Sequence, residues 1–222
     1  MIKLQKIDFR YPGSDFHLQV PELDVADGEC VAIIGASGSG KTTLLDLIAG
    51  IRQPGAGRVT VADTELASLP DRSRREFRLR HIGLIFQAFE LLEYLTVREN
   101  LLLPYRLSSA VRMPADRAAR LDALADSMGI TKRLQRYPEQ LSQGERQRAA
   151  ICRALITLPQ LILADEPTGN LDPDNKQRVL DLLLAQVKIR QATLVMVTHD
   201  QDLLAPFDRV IDMREFGQGA VP

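Results

Sequence analysis

The chain has 222 residues, 26% of them charged, and a formal net charge of −1. That length buries a full core, either as one large domain or as a core with an inserted subdomain, and the near-zero charge balance argues against direct binding of nucleic acid. Only two cysteines are present, and no apolar run reaches the roughly 20 residues of a membrane helix, which excludes a disulfide scaffold and a transmembrane segment of its own.

Residues 2–25 read as β-structure, with Ile2/Leu4, Ile7/Phe9, Phe16/Leu18/Val20 and Leu23/Val25 as apolar pairs and turns at Pro12-Gly13-Ser14 and Asp27-Gly28. Short alternating strands of this kind predict a small antiparallel sheet. Tyr11 stands at the end of the first pair, where an aromatic either stacks on a purine or simply packs. No positively charged leader with an apolar core opens the sequence, and residues 155–164, the most apolar run, are interrupted by Pro159 and Gln160. The expectation is a soluble protein able to dock on a membrane protein. Cys30 and Cys152 have no partner at metal-ligand spacing and are expected to be buried and reduced, as in the cytosol.

Next comes Gly35-Ala36-Ser37-Gly38-Ser39-Gly40-Lys41-Thr42-Thr43, a match to G-x-x-x-x-G-K-[ST]. The apolar run 30–34 precedes it as a predicted buried strand, and helical apolar spacing follows it as far as Gly50. Glycines at 35, 38 and 40 let successive N–H groups point into one concavity, and the helix N-terminus adds partial positive charge. Lys41 is placed for β- and γ-phosphates and the Thr42 hydroxyl for Mg²⁺. The segment therefore predicts a bound nucleoside triphosphate, and ATP and Mg²⁺ are the expected cofactors.

Residues 57–61 predict another strand of the antiparallel part, 71–80 a helix and 81–86 a strand ending at Gln87. The arginines at 72, 74, 75, 78 and 80 read as a solvated helix face. From 88 to about 157 the pattern is helical, with Ala118, Leu121, Leu124, Ala125 and Met128 on one face and Gly129 as a stop. Residues 86–95 are unusually apolar for a connection and are either core or a partner surface. Strand 161–164 then ends at Asp165-Glu166, a helix over 174–190 turns Val179, Leu180, Leu183 and Val187 inward, and strands over 193–198 and 209–213 follow. The tail, 217–222, is expected to fray. Alternating strands and helices imply a parallel sheet with the ligand site at the strands' C-terminal ends. The resulting fold class is α/β, a phosphate-loop NTPase (RecA-like) core with a small antiparallel β-subdomain and an inserted α-helical subdomain. Residues 1–87 and 158–222 form the core and 88–157 the insertion.

Asp165 emerges beside the phosphate loop, where a strand-borne carboxylate holds the Mg²⁺ water shell. Glu166 points elsewhere, as candidate general base or water-positioning group. In Leu141-Ser142-Gln143-Gly144-Glu145, Ser142 and Glu145 form a capping box with Leu141 at the staple position. A capped helix start with an early glycine is also an anion site, suited to a nucleotide held by another copy of the chain.

Together the glycine loop, Gln87, LSQGE at 141–145, ILADEP at 162–167, Asn170-Leu171-Asp172 and Thr198-His199-Asp200 resemble, in order and spacing, the ATPase subunits of ABC transporters. The branch serving lipoprotein release, macrolide efflux and cell division is most similar. The resemblance implies a Mg²⁺-dependent ATPase that closes as a head-to-tail homodimer on two ATPs and powers a separate membrane permease from the cytoplasmic face of the inner membrane. It implies adenine stacking on Tyr11, trans contacts from Ser142 and Gly144, and communication across the dimer by Asp172. Gln87 would sense Mg²⁺ and the attacking water, and His199 would contact the γ-phosphate. Residues 87–95 would meet the permease. Gln143 stands where the family usually has a second glycine, and Glu145 where glutamine is commonest. The alternative is a cell-division-type ATPase that transmits force to an envelope complex without moving a solute. A guanine reader is disfavoured, since Asn175-Lys176-Gln177-Arg178 lacks the Asp of N-K-x-D. A soluble relative acting on DNA or ribosomes is disfavoured by the single compact cassette.

Overall fold

The computed structural model describes residues 1–108 and 111–217. The chain opens with two long strands, β1 (Ile2–Arg10) and β2 (His17–Val25), paired antiparallel from Ile2↔Val25 to Arg10↔His17. Their buried residues are Ile2, Leu4, Ile7 and Phe9 on one and Leu18, Val20, Leu23 and Val25 on the other. Both sets change parity midway, so the four apolar groups in the sequence fall on two strands, with Phe16 just ahead of β2. The switch sits at Lys6, whose φ of 51° is left-handed.

β3 (Cys30–Ile34) leads through the glycine loop into α1 (Lys41–Ile48). β4 (Ala56–Val61) and β5 (Thr64–Glu65) complete an antiparallel sheet of order β2-β1-β4-β5. The β1–β4 register slips between Gln5 and Asp8, opposite Gly57. Gly57 has φ 92°, and a Cβ there would lie 2.3 Å from the Lys6 carbonyl oxygen. Both backbone strain and a main-chain clash oppose any side chain. Gly57→Ala is expected to lower unfolding free energy by about 3 kcal/mol, read as a lower midpoint in chemical denaturation.

α2 (Asp71–His81) is followed directly by β6 (Ile82–Ile85), so His81 closes the helix instead of opening the strand. α3 (Val97–Leu107), α4 (Arg117–Ser127) and α5 (Gln143–Leu155) come next, then β7 (Leu161–Asp165), α6 (Pro173–Arg190), β8 (Thr193–Val197) and β9 (Arg209–Asp212). The second sheet has the order β6-β7-β8-β3-β9, and every pairing is parallel.

The strands β3, β6, β7 and β8 are apolar on both faces, as a parallel sheet covered on each side requires, whereas the edge strand β9 buries only Ile211. Ala32, Ile162, Ala164, Leu194 and Met196 join a core with α3 through α6, while Val31, Ile33, Leu161, Leu163, Val195 and Val197 join a core with α1 and the antiparallel sheet. Period-two alternation thus assigns each residue to one of two layers. Burying each Leu, Ile or Val contributes about 1.5–3 kcal/mol.

Several sequence expectations are corrected. Ala118 is exposed, though Leu121, Leu124, Ala125 and Met128 are buried and Gly129, at φ 65°, closes the helix. Cys152 is buried but Cys30 only half so. Two of the five arginines do not face solvent: Arg74 donates to the Leu69 carbonyl, and Arg78 to the carbonyls of Ala49 and Gly50. Arg78 therefore caps the C-terminal end of α1, where cations are favoured. Gly217 is not frayed, since its carbonyl accepts from Gln19 N–H at 3.1 Å. The rest of that tail lies outside the described residues.

Candidate active site

Strand order decides which loops meet. Gln87 follows β6, Asp165 and Glu166 end β7, His199 follows β8, and the glycine loop follows β3; these four strands are consecutive in the sheet. Their C-terminal ends open into one cleft of about 700 Å³, lined by Tyr11, Phe16, the loop from Ser37 to Thr43, Gln87, Asp165, Glu166 and His199.

The loop owes its path to Gly40, which occupies the N-cap of α1 at φ 93° with Phe16 packed where a Cβ would stand. Lys41 is only 8% exposed, and its Nζ donates to the Gly35 and Ala36 carbonyls at 2.9 and 3.0 Å. The ammonium is thus held against the loop that surrounds it. Thr43 lies beneath, hydrogen-bonded through Oγ1 to Tyr11 Oη at 2.9 Å. Tyr11 is further fixed by Phe9 edge-on at 4.9 Å and by the Arg52 guanidinium 4.6 Å from its ring centroid. Arg52 in turn pairs with Asp46 on α1.

Burial pushes the Asp165 carboxyl above its usual range, against a hydrogen bond from the Thr42 hydroxyl that favours the ionised form. Thr42 hydroxyl, Asp165 carboxylate and the Gln87 side-chain amide supply hard oxygen donors, which suit Mg²⁺. Glu166 departs from β7 with φ 44°, and its N–H donates to the Val197 carbonyl at 3.0 Å. Its side chain takes a different partner from that of Asp165. Glu166 Oε2 then lies 3.2 Å from Nδ1 of His199, a residue 60% exposed in its side chain. Two neighbouring carboxylates therefore occupy distinct environments, one against Thr42 and one against an imidazole. This division suits a cation-holding group and a water-directing group.

Ser142, Gly144 and Asp172 do not line this cleft. Ser142 accepts from Glu145 N–H in a complete capping box at the start of α5, and Glu145 also pairs with Arg133 at 2.7 Å. Gln143 is exposed. Asp172 caps α6 by accepting from Asn175 N–H and from its side-chain amide at 3.1 and 2.7 Å, which holds its carboxyl below the usual range. Asn175 Oδ1 would be 3.3 Å from a Cβ on Gly144. The two helix starts therefore adjoin on one separate surface; at α6 Pro173 has no N–H and Asp172 takes that of Asn175, so α5 is the start that can offer backbone N–H groups to an anion.

Three side-chain contacts that the sequence reading did not anticipate shape the loops. Asn100, fully buried, grips the segment before α3, accepting from Leu92 N–H and donating to the carbonyls of Leu92, Leu95 and Thr96. Its signal was a polar residue at a core position of a helix. Arg153 donates to the carbonyls of Phe89 and Glu90, both left-handed at φ 61° and 53°. Asn170 donates to the Gln87 carbonyl at 2.9 Å. No local pattern announces either contact.

In residues 86–95 the apolar Phe86, Phe89, Leu91, Leu92 and Leu95 are half-buried, while Gln87, Ala88, Glu90, Glu93 and Tyr94 are exposed, Tyr94 to 75%. Beside them lies an apolar groove of about 380 Å³ lined by Leu79, Ile82, Phe86, Leu103, Pro104 and Leu107 and flanked by Arg78 and Arg153. Among the described residues no helix is long and apolar enough to cross a membrane.

A family profile described as ABC transporter matches residues 18–169. The lipoprotein-releasing system ATP-binding protein LolD of Psychrobacter arcticus is 46% identical over 193 residues, covering 87% of this chain and 85% of the relative. An uncharacterised ABC transporter ATP-binding protein of Mycobacterium tuberculosis is 40% identical over 217 residues, 96% of this chain and 87% of the relative. Among solved structures, the dimeric bacterial ABC transporter cassette MJ0796 superposes with a TM-score of 0.85 at 33% identity, over 96% of this chain and 94% of that one.

Proposed function

The chain belongs to the ABC transporter family as one of its ATP-binding subunits, and from that premise we propose a specific division of labour among its residues. The chain binds and hydrolyses ATP to power transport through a separate membrane partner. The observation that carries this reading is the meeting of the glycine loop, Asp165, Glu166, His199 and Gln87 in one cleft. The loop amides from Gly35 to Thr43 and the Lys41 ammonium bind the β- and γ-phosphates, with adenine stacked on Tyr11. Thr42, Asp165 and Gln87 would hold Mg²⁺, which when bound would offset the negative charge of the phosphates. Glu166 orients the attacking water and takes its proton, and His199 contacts the γ-phosphate while fixing the Glu166 carboxylate. Fixed donors around developing charge, with nucleophile and phosphorus held in line, supply the rate enhancement.

Ser142, Gly144 and Asp172 act in trans, on the nucleotide of a second copy in a head-to-tail homodimer. What supports this is their exclusion from the chain's own cleft, together with the dimeric form of the MJ0796 cassette. Residues 88–157 serve as the arm that carries the Ser142 surface. A force-transmitting role without transport is not favoured, because the relatives are transporter ATP-binding proteins.

The membrane partner docks on residues 87–95 and the adjoining apolar groove, and the chain works on the cytoplasmic face of the membrane. Phe89→Asp with Leu92→Asp would introduce two charges onto that apolar surface, at a cost of about 1–3 kcal/mol for each desolvated group. The expected result is loss of a co-purifying permease from detergent-solubilised membranes, with ATP binding unchanged. Recovery of the same complex with the doubly charged variant would remove this surface from consideration.

A further inference from the structure

We propose that Asn170 is a positioning residue for Gln87, so that the turn which carries Glu166 also sets the residue beside it. This rests on the reading of Gln87 as the group beside Mg²⁺ and the attacking water. Gln87 stands two residues beyond the end of β6, past the last ladder hydrogen bond that could orient it. Its carbonyl accepts from Asn170 Nδ2 at 2.9 Å, across 83 residues of sequence. Fixing that carbonyl fixes the peptide plane after Gln87, and with it the direction in which the side chain leaves the backbone.

The adjacent residue shows where the side chain goes. A Cβ built on Gly169 would stand 3.0 Å from Gln87 Nε2 and 3.5 Å from Glu166 Oε2. Both functional side chains therefore lie over one bare α-carbon. The turn beneath them is closed by Gly169 N–H donating to the Glu166 carbonyl at 3.0 Å and Leu171 N–H to the Thr168 carbonyl at 3.1 Å. Glu166 and Asn170 thus move as one piece, and the Asn170 amide carries Gln87 along with it. Asn170 is exposed, so truncating it opens no cavity and the contact has no role in core packing. Asparagine fits because the acceptor is a carbonyl: aspartate has the same shape but no donor.

The test is a double-mutant cycle on steady-state ATP hydrolysis, with thermal midpoints recorded for each protein. Gln87→Ala retains the main-chain carbonyl, so any effect of Asn170 in that background reports a role other than placing the Gln87 side chain. Asn170→Ala is expected to lower kcat about fivefold, the worth of one hydrogen bond, with KM for ATP and the thermal midpoint unchanged. Asn170→Asp should be at least as slow. The double variant Gln87→Ala/Asn170→Ala should be no slower than Gln87→Ala. Wild-type kcat in Asn170→Ala, or effects that multiply in the double variant, would overturn the proposal while leaving the role of Gln87 standing. Wild-type kcat in Gln87→Ala would instead overturn the reading of Gln87, and the proposal with it.

Discussion

Glu166→Gln is expected to reduce ATP turnover by about 10²- to 10⁴-fold, the usual contribution of a positioned general base, while ATP affinity stays at the wild-type level. Glutamine keeps the shape of the side chain and loses only the charge and the ability to accept a proton. The backbone that aims it is unaffected, because its left-handed φ of 44° is held by the N–H bond to Val197 and by the turn to Gly169. Holding a non-glycine residue there costs about 1–2 kcal/mol, and the variant carries the same cost. The Lys41 contacts, to the Gly35 and Ala36 carbonyls, involve no atom of Glu166 and are untouched. Because hydrolysis is what ends the ATP-bound state, the variant should accumulate as an ATP-dependent dimer. Phosphate release gives the rate, calorimetry the affinity, and light scattering with and without ATP the dimer. Turnover at the wild-type rate would falsify the assignment of Glu166.

Lys41→Ala should fail at the earlier step. Its ammonium is nearly buried and satisfied by two loop carbonyls, so it is already desolvated and aimed at the cradle before nucleotide arrives. Removing one member of such a charged, hydrogen-bonded set weakens binding by about a hundredfold or more. The same substitution also leaves the Gly35 and Ala36 carbonyls without that donor, and a modest loss of stability should accompany it. Equilibrium titration with ATP checks the first effect, and thermal unfolding without nucleotide checks the second. Lys41→Ala and Glu166→Gln then separate cleanly, one losing affinity and the other turnover alone. A Lys41→Ala protein that binds ATP normally would show that the loop amides suffice.

Much of this site was legible because its signals are local. A glycine loop between a strand and a helix, or a carboxylate directly after four apolar residues, states its own geometry, and a parallel sheet brings every strand end to one edge. The split between Ser142 and the cleft was legible for the same reason, since a capped helix start declares itself within four residues. What escaped reading was set by partners distant in sequence. Arg78 looks like any solvated arginine until α1 ends beneath it. Asn170 and Arg153 bind main-chain carbonyls, which every residue possesses, so no pairing of side-chain types marks them. The parity change at Lys6 is visible as a pattern, yet it reads equally well as a break between two short strands. Only the continuous pairing with β2 shows that one strand passes through it.

Arg153 and Ser142 are the two ends of a single helix, and this gives the chain a mechanical property of its own. At one end the guanidinium grips the left-handed pair Phe89 and Glu90; at the other the serine caps the helix start. The span between them is about 16 Å at the rise of an α-helix, without an internal proline or glycine kink after Gly144. A rod of that kind passes a push or pull along its axis from one end to the other. An axial displacement at the Phe89–Glu90 corner is therefore expected to reach the serine, and one at the serine to reach that corner.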